Sequence, residues 1–258
     1  MVALMALSAD EAPHNPFDWL RTTTRMPRRG RGLSYGATIE VLWPLISAAA
    51  KQHWYGGQHV PREGGVLIAA NHVSYADPVT VSAFLLAAGG RVPRYLARND
   101  MWNWPVIGPV MRSGKHIPVE RGTANAIKAL NDAAAAVRAG ECVVVFPEGT
   151  FTRREDGWPD PGIPGIGRLA LTTGAPVIPL ANWGTQNLLP HPSNKPKVWP
   201  RQDVHMAAGA PVDLSDLAGP RVTRSALDIA TKRIMGAITG QLATIRGEEP
   251  PADLPAVS

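Results

Sequence analysis

GVLIAANHVSYADPVTVSAFLLAA, residues Gly65 to Ala88, joins a strand, a loop and a helix without a break. Val66 to Ala70 is a short apolar run behind a glycine pair, and its length and branched residues suit a buried strand. Asp77 followed by Pro78 is a helix-start signal, an N-cap aspartate with proline at the first helical position, and the apolar residues that follow suit a buried helix. Six residues, Asn71 to Ala76, lie between. This is the opening of a βα unit, and chains of such units build parallel sheets whose ligands sit beyond the carboxyl ends of the strands.

The same alternation continues outward. Residues 94–97, 115–119, 142–146, 177–182 and 203–209 read as further strands, and 78–88, 105–112, 123–139, 165–173 and 223–245 as helices. The pattern predicts an α/β fold: a single domain with a largely parallel mixed sheet flanked by helices, preceded by an N-terminal amphipathic helical segment. Residues 1–32 read as an irregular basic segment, 33–63 as a helical segment suited to membrane docking, 64–245 as the main domain and 246–258 as a disordered tail.

The chain has 258 residues, enough for a substantial core, and a 45% hydrophobic, 18% charged composition that rules out a mostly disordered protein. Its formal charge of +5 favours an anionic partner: nucleic acid, a phosphate-bearing metabolite or a lipid surface. Cys142 is the single cysteine, so an internal disulfide is excluded, and its place in the apolar run ECVVVF suits a buried thiol in a reducing compartment. The first 13 residues lack the basic start and unbroken apolar run of a signal peptide, and the apolar stretch Val41 to Ala50 is short of a bilayer span. The expectation is a cytoplasmic protein.

Two readings of the front segment stay open. Arg21, Arg25, Arg28, Arg29 and Arg31 cluster ahead of a helix expected over 33–54, which carries Ile39, Trp43, Ile46 and Trp54 and a kink at Pro44. Such a helix beside arginines suits an anionic membrane surface, and equally suits packing on the core.

His72 falls just past the end of the first strand, where a ligand would sit. A histidine near a helix N-terminus has its protonated form disfavoured unless a carboxylate lies close, and a loop turning back would let Asp77 supply one. Asp77 is also explained by helix capping alone. A second strand-end loop, VVVFPEGTFTRRED at Val143 to Asp156, offers Glu148, Gly149, Thr150, Thr152, Arg153 and Arg154, a set of donors for an oxyanion or phosphate. The histidines show neither HxH nor HExxH spacing, so no metal site is expected. The tryptophans, among them Trp102 and Trp104, stand in apolar settings rather than basic grooves, so nucleic acid is not the expected partner.

Together these stretches resemble the 1-acylglycerol-3-phosphate acyltransferase family, glycerolipid acyltransferases marked by an H-X4-D box. NHVSYAD matches the first box at Asn71, His72, Ser74 and Asp77, and FPEGT matches the third at Phe146 to Thr150. GKHIPVERG resembles the second, ending at Arg121, and APVIPLAN the fourth, with Pro179 inside it. Two departures stand out. Phe151 occupies the position after E-G-T where the family most often has arginine, and Arg98 in LARND the position where lysine is common.

The resemblance implies that residues 64–245 form an acyltransferase domain. His72, oriented by Asp77, is then the base that removes the proton from an acceptor hydroxyl attacking an acyl thioester of coenzyme A or acyl carrier protein; these are co-substrates, and no cofactor is implied. Ser74 as a nucleophile is the alternative within the same loop. Glu148 is implied to orient the acceptor, Gly149 and neighbouring amides to serve the oxyanion, and Arg98, Arg121 and Arg153 to bind the acceptor phosphate, with Thr150 among the substrate contacts. The implied partners are acyl-CoA or acyl carrier protein, a lysophospholipid acceptor and an anionic membrane surface, placing the enzyme on the cytoplasmic face of a membrane. A different acceptor, or a catalytically silent phospholipid binder, fits the same boxes.

Overall fold

The computed structural model describes residues 23–24, 26–28, 30–120, 125–193, 195–219 and 221–254. In chain order the elements are α1 (Leu33–Ala49), β1 (Ala50–Tyr55), β2 (Val66–Ala70), α2 (Asp77–Ala87), β3 (Pro93–Arg98), α3 (Ile107–Ser113), β4 (Ile117–Val119), α4 (Asn125–Arg138), β5 (Cys142–Val145), α5 (Gly165–Thr173), β6 (Val177–Trp183), α6 (Thr185–Leu188), β7 (Gln202–Ala208) and α7 (Arg224–Arg246). The strands form one sheet in the order β1-β7-β6-β2-β5-β3-β4. Neighbours run parallel throughout except β6 and β7, which are antiparallel. The α/β reading with a largely parallel mixed sheet holds.

Strand side chains alternate between two cores, because successive residues of a strand point to opposite faces. Val66, Ile68 and Ala70 of β2 join Ile39, Trp43, Trp54 and Phe84 on the face covered by α1 and α2. Leu67 and Ala69 turn the other way, to Ala133, Val137, Ile166, Leu169 and Ile238 of α4, α5 and α7. A strand buried on both faces is apolar throughout, which is why VLIAA shows no polar alternation.

The antiparallel step decides which chain ends share the edge where β2 ends. Because β7 runs against β6 and β1 runs with β7, the amino ends of β1 and β7 lie on the same sheet edge as the carboxyl ends of β2, β3, β5 and β6. The end of α1 and the chain entering β7 therefore share that edge with the loop after β2.

Three expectations need correction. The front helix does not reach residue 54: it stops at Ala49, and 50–55 form the edge strand β1, paired in parallel with β7 from Ala50↔Gln202 to Tyr55↔Ala207. The alanine-rich sequence favours helix locally, but pairing with a strand some 150 residues on wins, and Gln52 and Trp54 are buried between exposed Lys51 and half-buried His53. Trp43 is core, 1% exposed and stacked on Trp54 at 5.8 Å, so it is not a membrane-inserting side chain. Arg31 is 2% exposed and so is not part of a surface cation cluster. Arg28 is exposed, and Arg21, Arg25 and Arg29 lie outside the described residues.

The tail also departs from expectation. Helix α7 ends on Gly247, left-handed at φ 65°, and the chain then packs back: Asp253 pairs with Arg154 at 2.7 Å, and Leu254 lies against the cluster that includes Trp158 and Leu242. Residues 255–258 lie outside the described residues. Among the described residues no helix is long and apolar enough to cross a membrane.

Candidate active site

The loop Asn71–Ala76 does turn back. His72 Nδ1 stands 2.8 Å from Asp77 Oδ2, and the same oxygen accepts the main-chain N–H of Val73 at 2.7 Å and of Ser74 at 2.8 Å. Asp77 is thus not the helix cap that its sequence position suggests. Ala76 holds the N-cap position with no side-chain cap, and the Asp77 carboxylate is turned toward the loop instead of the helix amides. With a carboxylate accepting at Nδ1, the imidazole carries its proton there and leaves Nε2 as the basic atom.

Ser74 is committed elsewhere. Its Oγ donates to the Leu189 carbonyl at 2.6 Å and accepts the Ala76 N–H at 3.0 Å, so the hydroxyl proton points away from His72. This geometry does not build a serine nucleophile.

The second loop holds the first by its backbone. Glu148 Oε1 accepts the His72 N–H at 2.8 Å, and Oε2 accepts the Asp160 N–H at 2.9 Å. The His72 carbonyl in turn accepts the Thr152 N–H at 2.8 Å. Glu148 is buried, which pushes its carboxyl up to about 7 against the opposing pull of these hydrogen bonds. Gly149 is left-handed at φ 73°, and a Cβ there would stand 3.1 Å from Ile163 Cδ1. Its N–H closes a turn onto the Phe146 carbonyl at 2.9 Å, so the glycine serves the turn while Thr150, exposed, and Phe151 follow it.

An aromatic column encloses the His72 ring. The His72 ring stacks on Phe146 at 4.1 Å and packs against Phe151 at 4.0 Å with the two planes tilted by 36°, leaving its side chain 14% exposed. Phe151 continues the column onto His191 at 4.3 Å, and Tyr75 flanks both at 4.6 and 5.3 Å. Phe146, Phe151 and His191 were not assigned roles from sequence, and neither was the buried pair Asn71 and Asn182. Those two amides tie β2 to β6: Asn71 Nδ2 donates to the Asn182 carbonyl at 3.0 Å, Asn182 N–H to Asn71 Oδ1 at 2.8 Å, and Asn182 Nδ2 to the Asn71 carbonyl at 2.7 Å. An asparagine closing an otherwise apolar strand was the available signal.

Two of the three arginines expected to bind phosphate are paired with carboxylates. Arg98 makes two bonds to Asp100, at 3.0 and 2.7 Å, and is largely exposed. Arg153 gives its N–H and Nε to Asp160 Oδ2 at 3.0 and 2.9 Å, with its side chain 80% exposed. Arg121 lies outside the described residues. Among the described residues no three His, Cys, Asp or Glu side chains form a group able to hold a metal ion.

A histidine–carboxylate pair at a strand end, with a glutamate-bearing second loop beneath it, is also where a family model described as Acyltransferase matches this chain, over residues 51–183. The chain belongs to the Acyltransferase family. Its similarity extends to individual proteins. It is 30% identical over 156 residues to "1-acyl-sn-glycerol-3-phosphate acyltransferase BAT2, chloroplastic" of Brassica napus, covering 59% of this chain and 43% of that one. It is 32% identical over 90 residues to the "Lyso-ornithine lipid O-acyltransferase" of Rhizobium meliloti (strain 1021), covering 34% and 29%. The 1-acyl-sn-glycerol-3-phosphate acyltransferase of Bacillus subtilis (strain 168) is 23% identical over 184 residues, 71% of this chain and 85% of that one. This chain spans less than half the length of the Brassica relative and less than a third of the Rhizobium one. Among solved structures, the 1-acyl-sn-glycerophosphate (LPA) acyltransferase PlsC of Thermotoga maritima superposes with a TM-score of 0.63 at 20% identity, covering 90% of this chain and 89% of that one. At that identity the likeness is one of fold.

Proposed function

We propose that this chain is an O-acyltransferase that moves a fatty acyl group from a thioester of coenzyme A or acyl carrier protein to the free sn-2 hydroxyl of 1-acylglycerol 3-phosphate, giving phosphatidic acid. The observation that carries the reading is the His72–Asp77 pair, held at 2.8 Å with Nε2 as the basic atom, at the carboxyl edge of the sheet. His72 Nε2 takes the hydroxyl proton as the acceptor oxygen attacks the thioester carbonyl, and Asp77 stabilises the imidazolium that forms. The tetrahedral intermediate collapses with cleavage of the carbon–sulfur bond, and His72 returns the proton to the departing thiolate. One ester and one thiol form, and no acyl-enzyme is needed.

The amides of Thr150 and Phe151 have no partner among the described residues and stand as donors for the developing oxyanion. Arg98, Arg121 and Arg153 are the cations proposed for the acceptor phosphate, the first and last by exchanging their carboxylate partners for it. The acceptor of such a reaction is held in a bilayer, which places the enzyme on a membrane surface, its cytoplasmic face in this reading.

A second acceptor class is favoured by one observation: Phe151, at the position where arginine is common, packs against His72 and contributes no cation. A lysolipid without a phosphate at that point fits this wall, and the Rhizobium relative is named for a lyso-ornithine lipid in place of a glycerol phosphate. The test is incubation with an acyl thioester and a panel of lysolipids, following free thiol and lipid product. Thiol and phosphatidate in equal amounts with lysophosphatidate alone support the first reading; product only from a phosphate-free lysolipid selects the second. Thiol release that never yields a lipid product refutes both.

A further inference from the structure

Between α6 and β7 the chain places two apolar side chains in solvent, Trp199 at 84% exposed and Val198 at 56%. Lys195 and Lys197 stand exposed beside them, and no carboxylate among the described residues pairs with either. The segment is fastened rather than loose. Lys197 N–H donates to the Leu188 carbonyl at 2.8 Å, and Arg201 donates to the carbonyls of Ser47 and Ala50 at 2.9 and 2.8 Å, which ties it to the end of α1. Upstream, Pro190 bridges to Ser74 of the His72 loop, and His191 stacks on Phe151.

Its place follows from the topology. The segment enters β7 at the amino end of that strand, on the same edge of the sheet as His72. The neighbouring α1 carries a single charged residue, Glu40, and shows Leu33, Val41 and Leu45 outward at 91%, 64% and 62% exposure, on the arc opposite buried Tyr35, Ile39 and Trp43.

We infer that Lys195–Trp199 is a docking element for an anionic lipid bilayer, with Trp199 set at headgroup depth, Val198 inserted beside it and the two lysines on lipid phosphates. Tryptophan prefers the membrane–water interface because its ring is apolar and its N–H polar, and lysines beside it are drawn to an anionic leaflet while their stems remain in apolar surroundings. Exposed apolar side chains ringed by unpaired cations on an active-site edge match a bilayer in both chemistry and charge. The inference rests on the proposed function for its purpose, since a lipid acceptor has to reach His72 from a bilayer, and on geometry for its place. It locates contact in this segment, away from the buried Trp43.

The test uses the full chain in sedimentation with sucrose-loaded vesicles, either phosphatidylcholine alone or phosphatidylcholine mixed with phosphatidylglycerol. Trp199→Ser, at a solvent-exposed position, is expected to weaken binding to both vesicles by about tenfold. Lys195→Gln with Lys197→Gln is expected to weaken binding to the mixed vesicles by roughly tenfold at low salt and to leave phosphatidylcholine unchanged. Both variants should acylate a water-soluble short-chain lysolipid at the parent rate. Parent-like sedimentation of both variants, or a parent that binds neither vesicle, overturns the inference, the latter leaving a protein partner as the occupant. A parent that acylates no lysolipid, yet loses vesicle binding through these substitutions, upholds the docking element and discards the proposed function.

Discussion

Glu148 grips His72 by its main chain: Oε1 accepts the His72 N–H at 2.8 Å while Oε2 accepts the Asp160 N–H at 2.9 Å. One buried carboxylate therefore sets the position of His72 and of the loop that carries Arg153's partner. Both its oxygens are occupied by backbone donors, so it bears on the proposed chemistry through the placement of His72.

Glu148→Gln tests that role. An amide has one acceptor oxygen and turns an N–H₂ group toward the other backbone N–H, so one of the two grips is lost. The expected result is a fall in kcat of tenfold or more with the acceptor KM little changed, read from initial rates. A large rise in acceptor KM at unchanged kcat returns Glu148 to direct acceptor binding.

The same residue makes stability depend on pH. Burial raises its folded-state value from the ordinary 4.5 to about 7, so between those values the folded protein holds a proton that the unfolded chain has released. The contribution is present in full below pH ~4.5 and is lost as pH rises to about 7, a loss on the order of 3 kcal/mol. Thermal unfolding of the parent and of Glu148→Gln across this window should show the parent losing stability relative to the variant as pH increases. Parallel curves contradict the shift.

Asp77→Asn separates catalysis from architecture. Asparagine keeps a carbonyl oxygen for the N–H groups of Val73 and Ser74 and for His72 Nδ1–H, but it carries no charge to stabilise an imidazolium. Acyl transfer is expected to fall by ~10²- to 10⁴-fold with the melting temperature nearly retained. Retained turnover in a destabilised protein would confine Asp77 to bracing the loop.

How far the sequence carries the site can be judged from these residues. Asn71 to Pro78 is legible because a strand end, a loop and a helix start lie within eight residues, and the H-X4-D spacing lets Asp77 fold back on His72. The direction of the Asp77 carboxylate is less legible, since a helix cap and a loop brace use the same residue at the same place. β1 is hidden because its partner β7 lies some 150 residues on, and local propensity over Ser47 to Lys51 favours helix. Asp160 and Phe151 sit in irregular loops, where no period marks a contact; their grip on Arg153 and stacking on His72 arise only when β5 brings the second loop against the first.

The amide pair between β2 and β6 should matter for stability. Asn71, Asn182 and Thr185 are fully buried, and Asn71→Ala removes both bonds from its side chain to the Asn182 backbone. Leaving those groups unpaired is expected to cost about 2 to 4 kcal/mol, and Asn182→Ala, which removes the bonds of its own side chain to the Asn71 carbonyl and the Thr185 hydroxyl, should cost a similar amount. Urea unfolding measures both, and small losses for both would show that the pairing is not a source of stability.

Phe151 offers a test of acceptor choice beside His72. Its ring covers one face of His72 at 4.0 Å and meets His191 on the other side, so it fixes the imidazole plane and occupies the place where arginine is common. Phe151→Leu keeps bulk but loses the stack, and is expected to lower kcat about tenfold at nearly constant KM; Phe151→Tyr, which keeps a ring, should restore it. A leucine variant with parent kinetics would make the stacking incidental. Phe151→Arg adds a cation that can bond a phosphate in two-point fashion, so the ratio of kcat/KM for lysophosphatidate over a phosphate-free lysolipid should rise by about ten- to a hundredfold. Charge-assisted bonds to a phosphate contribute roughly 1.5 to 3 kcal/mol, which spans that range. An unchanged ratio would place the acceptor phosphate away from this face of His72 and leave its recognition to Arg98, Arg121 and Arg153.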